Sequence, residues 1–333
     1  MKISSVCDET WVVTEGAAGM ENQCLGLAER LTSPVRTFRI TLKEPWRLLA
    51  PQSFGNAFDH LDRNSDRPAP PWPALVIGCG RQSVPISRAV RRASSGATVT
   101  VQCQDPRIDP KAFDLVIPPE HDELSGPNVF PIVGSPNRIT AGRLTEAKAQ
   151  FADRFGPLRA PRIAVLVGGS SRTHGTVDPK AATRLAHMLF GLASSHGIMV
   201  STSRRTPALS AAVLKNSLET SGAVVWDGSG PNPYLGMLAW AEAFVVTADS
   251  VNMTCEAAAT GRPVHVFPLE NGRRKAKFFQ QSMTNRGITR PFTGTIEQWS
   301  YPALNEAERA AERIKSLLDA RESATDMRCE GRA

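Results

Sequence analysis

Short apolar runs alternate with helix-like stretches along almost the whole chain, and this alternation limits the possible folds more than any other feature. The first run, residues 11–14, is followed by an amphipathic stretch from Glu21 to Leu31. Most later runs are rich in β-branched residues and lead through a polar loop into apolar residues at helical spacing. Repeated strand–helix units are typical of a parallel sheet covered by helices on both faces. The predicted strands are 11–14, 35–40, 74–77, 98–102, 115–117, 163–167, 198–202, 223–226, 244–247 and 264–267. The predicted helices are 21–31, 83–93, 180–194, 207–220, 233–241, 252–260 and 304–318.

The length of the chain and one break in this pattern predict two domains. A chain of 333 residues exceeds one ordinary domain and suits two of roughly 150 residues each. The segment Gly156 to Pro161 holds two prolines and a glycine, and it is therefore interpreted as a linker. The predicted fold class is α/β, with two Rossmann-like domains facing a cleft and a C-terminal helix packing back on the first domain. The predicted divisions are an N-terminal domain at 1–157, a C-terminal domain at 158–302, a helix at 303–320 and a tail at 321–333.

Composition and charge exclude several classes of protein. The six cysteines are scattered and none forms a CxxC pair, so they are interpreted as reduced core residues and not as metal ligands. The net charge of +7 favours anionic partners, but there is no arginine-rich tail and no zinc-finger spacing, so nucleic acid is not a predicted partner. No stretch approaches about 18 uninterrupted apolar residues, and no signal peptide is recognisable. We expect a cytoplasmic protein without a transmembrane segment, for which peripheral attachment to the inner membrane face stays open.

An apolar run that ends in glycine gives the first indication of a binding site. The residues that follow the run 163–167 are Gly168, Gly169, Ser170 and Ser171. Glycine lets the chain turn sharply and approach a ligand closely, so the exposed backbone N–H groups suit a phosphate or diphosphate. Arg204, with Arg205 beside it, ends the next predicted strand, where it is placed to neutralise a diphosphate. The alternatives are a structural turn for the glycines and a solvated pair for the arginines.

The segment 247–264 gives a second indication. A predicted strand leads into Asp249 and Ser250, and the helix after it carries Glu256 in its second turn. Asp249 and Ser250 cap this helix in the simpler interpretation and contact a ligand in the other. Glu256 stands among small residues, where its two oxygens suit the paired hydroxyls of a ribose. These three residues complete the predicted donor-binding set.

Polar clusters also follow the predicted strands of the first half. The predicted acceptor-side residues are Asn22, Gln23, Arg81, Gln82, Asp105 and Arg107. His121 lies between carboxylates, and a His–Asp pair can act as a general base. Glu15, His121 and Asp122 are the candidates for a catalytic base, and a bracing role within their loop is the alternative for the last two. The basic segment 271–279, with its paired phenylalanines, suits a phosphate or an anionic membrane surface, or else is a solvated connector.

Nine segments together resemble one known family. They are TEGAAGMENQCLGLAERL, IGCGRQSVP, VQCQDPR, FDLVIPPEHDELSGPNV, VLVGGSS, SRRTP, WDGSGPNPY, VTADSVNMTCEAAATGRPV and RPFTG. Their order and spacing are similar to those of the mitochondrial-fission (elongated-mitochondria) family, which includes plant fission factors and many bacterial proteins. The resemblance covers nearly the whole chain, and it implies the two-domain glycosyltransferase type B architecture.

The second half also resembles the donor domain of lipid-acceptor glycosyltransferases of that architecture, such as the muramyl-lipid N-acetylglucosaminyltransferase. The resemblance implies that Gly168, Gly169 and Ser170 hold a diphosphate and that Glu256 holds a ribose. The first half departs from that enzyme, whose glycine loop carries a histidine before the helix where this chain has Glu21-Asn22.

Two hypotheses follow for the function. In the first, the chain is a metal-independent glycosyltransferase that binds a nucleotide-diphosphate sugar as its substrate, needs no cofactor, and transfers the sugar to an envelope acceptor such as a lipid. In the second, it is a non-catalytic adaptor on the same fold. The first hypothesis requires a deep polar cleft between 168–171 and 249–256, and the second does not.

Overall fold

The chain forms two compact units. The computed structural model describes residues 7–31, 33–169, 175–226, 228–270 and 274–330, with side chains described as far as residue 323. The first unit combines Met1–Arg138 with Asn305–Ala333, and the second unit is Ile139–Leu304. None of the helices formed by the described residues is long and apolar enough to cross a membrane.

The first unit contains a five-stranded sheet in which all neighbouring strands are parallel. Its strands are β1 (Cys7–Thr14), β2 (Val35–Arg39), β3 (Pro73–Cys79), β4 (Val99–Cys103) and β5 (Leu115–Ile117), in the order β2-β1-β3-β4-β5. Its first three helices are α1 (Ala18–Ala28), α2 (Trp46–Leu49) and α3 (Ser83–Ala93). Side chains alternate between the two faces, since Val12 packs in one core with α1 while Trp11 and Val13 pack in the other with α3. Burial on both faces explains the apolar run Leu75–Ile77 in the central strand β3.

The second unit contains a six-stranded parallel sheet. Its strands are β6 (Arg162–Val167), β7 (Gly197–Thr202), β8 (Val224–Trp226), β9 (Ala243–Thr247), β10 (Val264–Phe267) and β11 (Thr289–Pro291), in the order β11-β10-β9-β6-β7-β8. Its helices are α4 (Ala141–Gln150), α5 (Ala152–Phe155), α6 (Pro179–Leu192), α7 (Ala208–Glu219), α8 (Tyr234–Trp240), α9 (Val251–Ala258) and α10 (Arg274–Asn285). Val165 packs in the core with α6 and α7, whereas Ala164 and Leu166 pack in the core with α8 and α9.

The last helix, α11 (Glu306–Glu330), belongs to the first unit. Ala307, Ala310 and Ile314 share one helical face and are buried in the core that contains Val12. The Glu306 carboxylate anchors the start of the helix by accepting a hydrogen bond from the Val133 N–H at 2.7 Å. The chain therefore returns to its first unit, as the sequence predicts.

The boundary between the units differs from the one expected from the prolines of 156–161. It falls between Arg138 and Ile139, not at 157/158. The reason is that α4 and α5 pack on α8. An ideal Cβ on Gly236 of α8 would lie 2.6 Å from the Phe151 ring, and the Trp240 Nε1–H donates to the Lys148 carbonyl at 2.9 Å. The proline-containing segment is thus a connector inside the second unit.

Candidate functional site

The chain order of the second sheet changes direction between β6 and β9. From β6 the chain adds β7 and β8 on one side, and from β9 it adds β10 and β11 on the other. In open parallel sheets, ligands bind at the carboxyl ends of the strands that flank such a switch point. Gly168 follows β6 and Asp249 follows β9, so two of the predicted donor residues lie at this position.

Gly168 and Gly169 are glycines because neighbouring loops approach them closely. An ideal Cβ on Gly168 would lie 2.2 Å from Oδ2 of Asp249, and one on Gly169 would lie 2.5 Å from the backbone carbonyl carbon of Arg205. The Gly168 N–H donates to Oγ1 of Thr247 at 2.8 Å, and its carbonyl accepts from the Thr206 hydroxyl at 2.6 Å. The loops that follow β6, β7 and β9 are thereby joined. The predicted Ser170 and Ser171 lie outside the described residues.

Asp249 is held in this junction with one oxygen unsatisfied. Its side chain is 5% exposed, and Oδ1 has no hydrogen-bond partner among the residues that the structure describes. Burial raises the pKa of Asp249 to about 6, against the lowering effects of the Thr247 side chain, the Gly169 N–H and the charge of Arg205. A buried acceptor without a donor is costly in a native protein, so Asp249 is suited to accept a hydrogen bond from a ligand.

Glu256 lies in the second turn of α9 and is 9% exposed. The Tyr234 hydroxyl, at the start of α8, donates to its Oε2 at 2.5 Å. Burial raises the pKa of Glu256 to about 7, and the Tyr234 bond opposes that rise. The same burial, together with the Glu256 carboxylate, raises the pKa of Tyr234 well above its ordinary range. Glu256 is recognisable as a site residue from the sequence, but Tyr234 is not. Its position directly after the loop 227–233 is the one sequence feature that could have indicated a role at the site.

Ser250 caps α9, and Asp249 does not. The Ser250 hydroxyl accepts a hydrogen bond from the Met253 N–H at 3.3 Å, as an N-cap residue does. For Ser250, the structure therefore shows the simpler of the two roles expected from the sequence, that of a helix cap. Asp249 points instead toward the glycine loop, where a Cβ on Gly168 would meet it.

Two further groups lie at this edge of the sheet. Arg204 and Arg205 are both exposed, and the charge of Arg205 lowers the pKa of Asp249. Gln280 of α10 donates from Nε2 to the Ala248 carbonyl at 3.1 Å, and its buried Oε1 has no partner within the described ranges. Neither Arg205 nor Gln280 is in the set predicted from the sequence.

In the first unit, Glu15 accepts hydrogen bonds at both carboxylate oxygens from Gln82. β1 and β3 flank the switch point of this sheet, and Glu15 and Gln82 follow them. Oε1 of Glu15 accepts from the Gln82 backbone N–H at 3.0 Å, and Oε2 accepts from Gln82 Nε2 at 2.8 Å. Gln82 Oε1 in turn accepts from the Leu42 N–H at 2.7 Å. Glu15 is thus placed to brace this loop.

The other predicted residues of the first unit lie in the loops that follow its strands, apart from Asn22 and Gln23, which lie on α1. Gln23 is buried and accepts at Oε1 from Gln104 Nε2 at 3.1 Å. The Arg81 guanidinium donates to backbone carbonyls of α2, and Asp105 Oδ1 accepts from the Arg107 N–H at 2.7 Å. The remaining three are Asn22, which is half-buried on α1, and His121 and Asp122 in the short turn after β5, where His121 is buried.

Comparison with known proteins identifies relatives by sequence. A family model for mitochondrial fission ELM1 proteins matches residues 18–318. The mitochondrial fission protein ELM1 of Arabidopsis thaliana is 35% identical over 277 residues, which cover 75% of this chain and 65% of the plant protein. The chain therefore matches less than two thirds of that relative's length. An uncharacterised protein of Rickettsia prowazekii (strain Madrid E) is 28% identical over 353 residues, covering 92% of this chain and 98% of that protein.

Solved structures share the fold at low sequence identity. UDP-GlcNAc 2-epimerase from Methanocaldococcus jannaschii gives a TM-score of 0.51 at 10% identity, covering 93% of this chain and 100% of that one. A putative UDP-N-acetylglucosamine 2-epimerase from Listeria monocytogenes gives 0.51 at 11% identity, covering 95% and 89%. Likeness at such identity concerns the fold alone. It confirms the predicted class of two parallel α/β domains of the glycosyltransferase type B kind.

Proposed function

This chain belongs to the mitochondrial fission ELM1 family, and from that premise we propose that its second unit binds a nucleotide-diphosphate sugar at the carboxyl ends of β6 and β9. The observation that carries the proposal is the junction at the switch point, where the glycine loop meets the buried and partly unsatisfied Asp249. The two epimerases with this fold are named for UDP-GlcNAc, which is itself a nucleotide sugar.

The diphosphate is assigned to the loop that starts at Gly168. The N–H groups of both glycines are already bonded within the protein, by Thr247 and Asp249. The donors to the diphosphate are therefore the N–H and hydroxyl groups of the two serines that follow, Ser170 and Ser171. Arg204 and Arg205, exposed at the end of β7, supply positive charge through charge-assisted bonds worth about 1.5–3 kcal/mol each.

The ribose is assigned to Glu256. A carboxylate accepts hydrogen bonds from both hydroxyls of a vicinal diol, and the Tyr234 bond at Oε2 fixes the orientation of the Glu256 carboxyl group. Hydroxyl donors from a bound ribose would stabilise the charged form of Glu256, which burial disfavours. Asp249 Oδ1 and Gln280 Oε1 are two further acceptors for ligand hydroxyls.

Transfer of the sugar to an envelope acceptor, such as a lipid, is the catalytic form of this proposal. It requires a base to take the proton of the acceptor hydroxyl. Glu15, after β1, and His121 and Asp122, in the turn after β5, are the candidates for this base. The acceptor side is assigned to the polar strand ends of the first unit.

The second candidate function is a non-catalytic adaptor that keeps the fold and the nucleotide-sugar site. An adaptor needs no free base at the switch point of its first unit. The plant relative is named for mitochondrial fission and not for a transfer reaction.

Calorimetric titration of the full chain with UDP-, ADP- and GDP-sugars, and with the corresponding nucleoside diphosphates, tests the binding proposal. We expect at least one of them to bind and to raise the free energy of unfolding, by about 2.7 kcal/mol at 100 times its Kd. Glu256→Gln should weaken that binding by about 1–3 kcal/mol, because a charged acceptor is lost. Glu219→Gln, on an exposed surface of α7, is the matched control.

The outcomes separate the two candidate functions. Binding that depends on Glu256, with transfer to a lipid acceptor that falls about 10²–10⁴-fold in His121→Ala, supports the transferase. The same binding without transfer across a broad acceptor panel supports the adaptor. If no nucleotide sugar binds, or if Glu256→Gln binds as well as the wild type, the assigned site is wrong.

A further inference from the structure

Apolar side chains are exposed together on one short segment of the first unit. Among the described residues, seven large hydrophobic side chains are exposed, and three of them fall within seven consecutive positions: Leu48, Leu49 and Phe54. Leu48 and Phe54 are 72% and 70% exposed. The half-buried Trp46 joins them, with its ring centroid 6.3 Å from that of Phe54. These four side chains are called the 46–54 patch.

The 46–54 patch stands on a well-packed base. Ala50 and Leu42 are buried in the core shared with α3, and Leu42 forms an antiparallel bridge with Leu61. The Trp46 ring stacks on the His60 ring at 3.8 Å. The exposed apolar side chains are therefore attached to an anchored turn of the chain. Exposed apolar side chains gathered at one place mark an interaction site more often than scattered ones do.

Positive charge surrounds the 46–54 patch. Lys43, Arg47 and Arg81 are exposed around it, and Glu44 is the carboxylate in the same stretch of chain. Arg47 pairs with Glu44 at 2.6 Å, and the Arg81 guanidinium donates to the carbonyls of Arg47 and Leu48 at 3.3 and 3.4 Å. Arg63 is a further exposed cation of the adjoining segment, and Asp59 and Asp62 are further carboxylates, so four cations against three carboxylates leave a net charge of +1 at this rim.

We propose that the 46–54 patch docks the protein on the surface of an anionic lipid bilayer. Leu48, Leu49 and Phe54 enter the boundary between headgroups and acyl chains, and the cationic rim meets the lipid phosphates. Apolar side chains beside basic ones are the combination by which peripheral proteins hold an anionic membrane. Tryptophan is enriched at this depth of a bilayer, which suits Trp46.

A protein partner fits the same surface less well. A stable protein–protein interface uses about 20–30 residues on each side, far more than this segment presents. The proposal concerns the first unit alone and does not depend on the nucleotide-sugar site.

Flotation of the full chain with vesicles tests the proposal. One set of vesicles is phosphatidylcholine alone, and the other is equal parts phosphatidylcholine and phosphatidylglycerol. We expect the protein to float with the second set and to lose that binding at high salt. The triple variant Leu48→Ser, Leu49→Ser, Phe54→Ser should bind at least about tenfold more weakly, because its apolar contacts are gone. The pair Lys43→Gln, Arg47→Gln should weaken binding to the anionic vesicles only.

The matched control removes exposed apolar side chains of the second unit. Phe190→Ser with Leu209→Ser takes away two that are 54% and 63% exposed, and it should leave flotation unchanged. Circular dichroism of each variant checks that it is folded. The proposal is overturned if the wild type does not float with anionic vesicles, or if the control loses binding as much as the triple variant. It is also overturned if the triple variant changes only the oligomeric state measured by light scattering, since the patch would then join two copies of the chain.

Discussion

At the scale of single residues, the second unit contains two buried carboxyl groups, and burial disfavours the ionised form of each. The pKa of Asp249 is raised to about 6 and that of Glu256 to about 7, with loss of solvation as the leading cause in both. Neither group has a cation in direct contact among the described side chains. Buried carboxyl groups that have no cation in direct contact are typical of binding and catalytic sites.

Glu256→Gln should stabilise the protein at neutral and alkaline pH. The pKa of Glu256 in the folded chain, about 7, lies above its ordinary 4.5, so the folded state holds an extra proton between these values. The free energy of unfolding of the wild type therefore falls as the pH rises through this window. Glutamine keeps the shape and stays neutral, so the variant should match the wild type near pH 4 and exceed it by on the order of 3 kcal/mol at pH 8.

Urea unfolding of both proteins at pH 4, 6 and 8 measures this difference. Glu219→Gln, which removes an exposed carboxylate, should leave the pH profile unchanged. A Glu256→Gln protein that is less stable than the wild type at pH 8 would mean that the ionised carboxylate stabilises the fold, contrary to the prediction.

The sequence indicates some of these residues and not their partners. Glu256 is recognisable because a glutamate on a helix of small residues has no evident surface role. Tyr234 is not, because the contact joins positions 22 residues apart across a strand and a loop. Asp249 and Ser250 are adjacent candidates for one cap, and only the folded structure shows that the hydroxyl of Ser250 takes that role. The engagement of Glu15 by Gln82 spans 67 residues and is equally invisible in a linear pattern.

At the scale of elements, the predictable strands are those with a dense apolar run. The runs 163–167 and 264–267 nearly coincide with β6 and β10, because both faces of each strand are buried. β11 escapes prediction because only Thr289 is buried in it, and its proline is tolerated at the sheet edge. The buried residues of α10, Ala276, Phe279 and Met283, have helical spacing. From the sequence, the segment 271–279 is nevertheless interpreted by its basic charge, and this helix is not predicted.

Gly169→Ala should loosen the junction of the three strand-end loops. The new Cβ would lie 2.5 Å from the Arg205 backbone, so the loop after β7 or the glycine loop must shift. We expect a loss of about 1–3 kcal/mol in the free energy of unfolding, as for other overpacked sites, together with weaker nucleotide-sugar binding. Gly191→Ala is the control, because a Cβ there meets nothing within 4 Å on the exposed side of α6. That variant should gain about 0.5–1 kcal/mol. Equal stabilities for the two variants would contradict the prediction.

At the scale of the whole molecule, the two units differ in how the chain builds them. The second unit is one continuous segment, Ile139–Leu304, whereas the first needs two segments that are separated by the whole of the second. The sequence predicts the return of the last helix, but it does not locate the boundary at Arg138. Local composition marks the prolines of 156–161, while the packing of α4 on α8 decides which unit the preceding helices join.

The fragment 139–304 should therefore fold alone, and the fragment 1–138 should not. Without α11, the core face that contains Val12 loses Ala307, Ala310 and Ile314, and the Val133 N–H loses the Glu306 carboxylate. Burying a side chain such as Ile314 contributes about 1.5–3 kcal/mol, a large share of the 5–15 kcal/mol by which a native domain is typically stable. Circular dichroism should show a cooperative thermal transition for 139–304 and none for 1–138, and co-expression of 1–138 with 305–333 should restore one. In the full chain, Ile314→Ala should cost about 2–5 kcal/mol and lower only the transition of the first unit. A cooperative transition in 1–138 alone would show that α11 is dispensable for that fold.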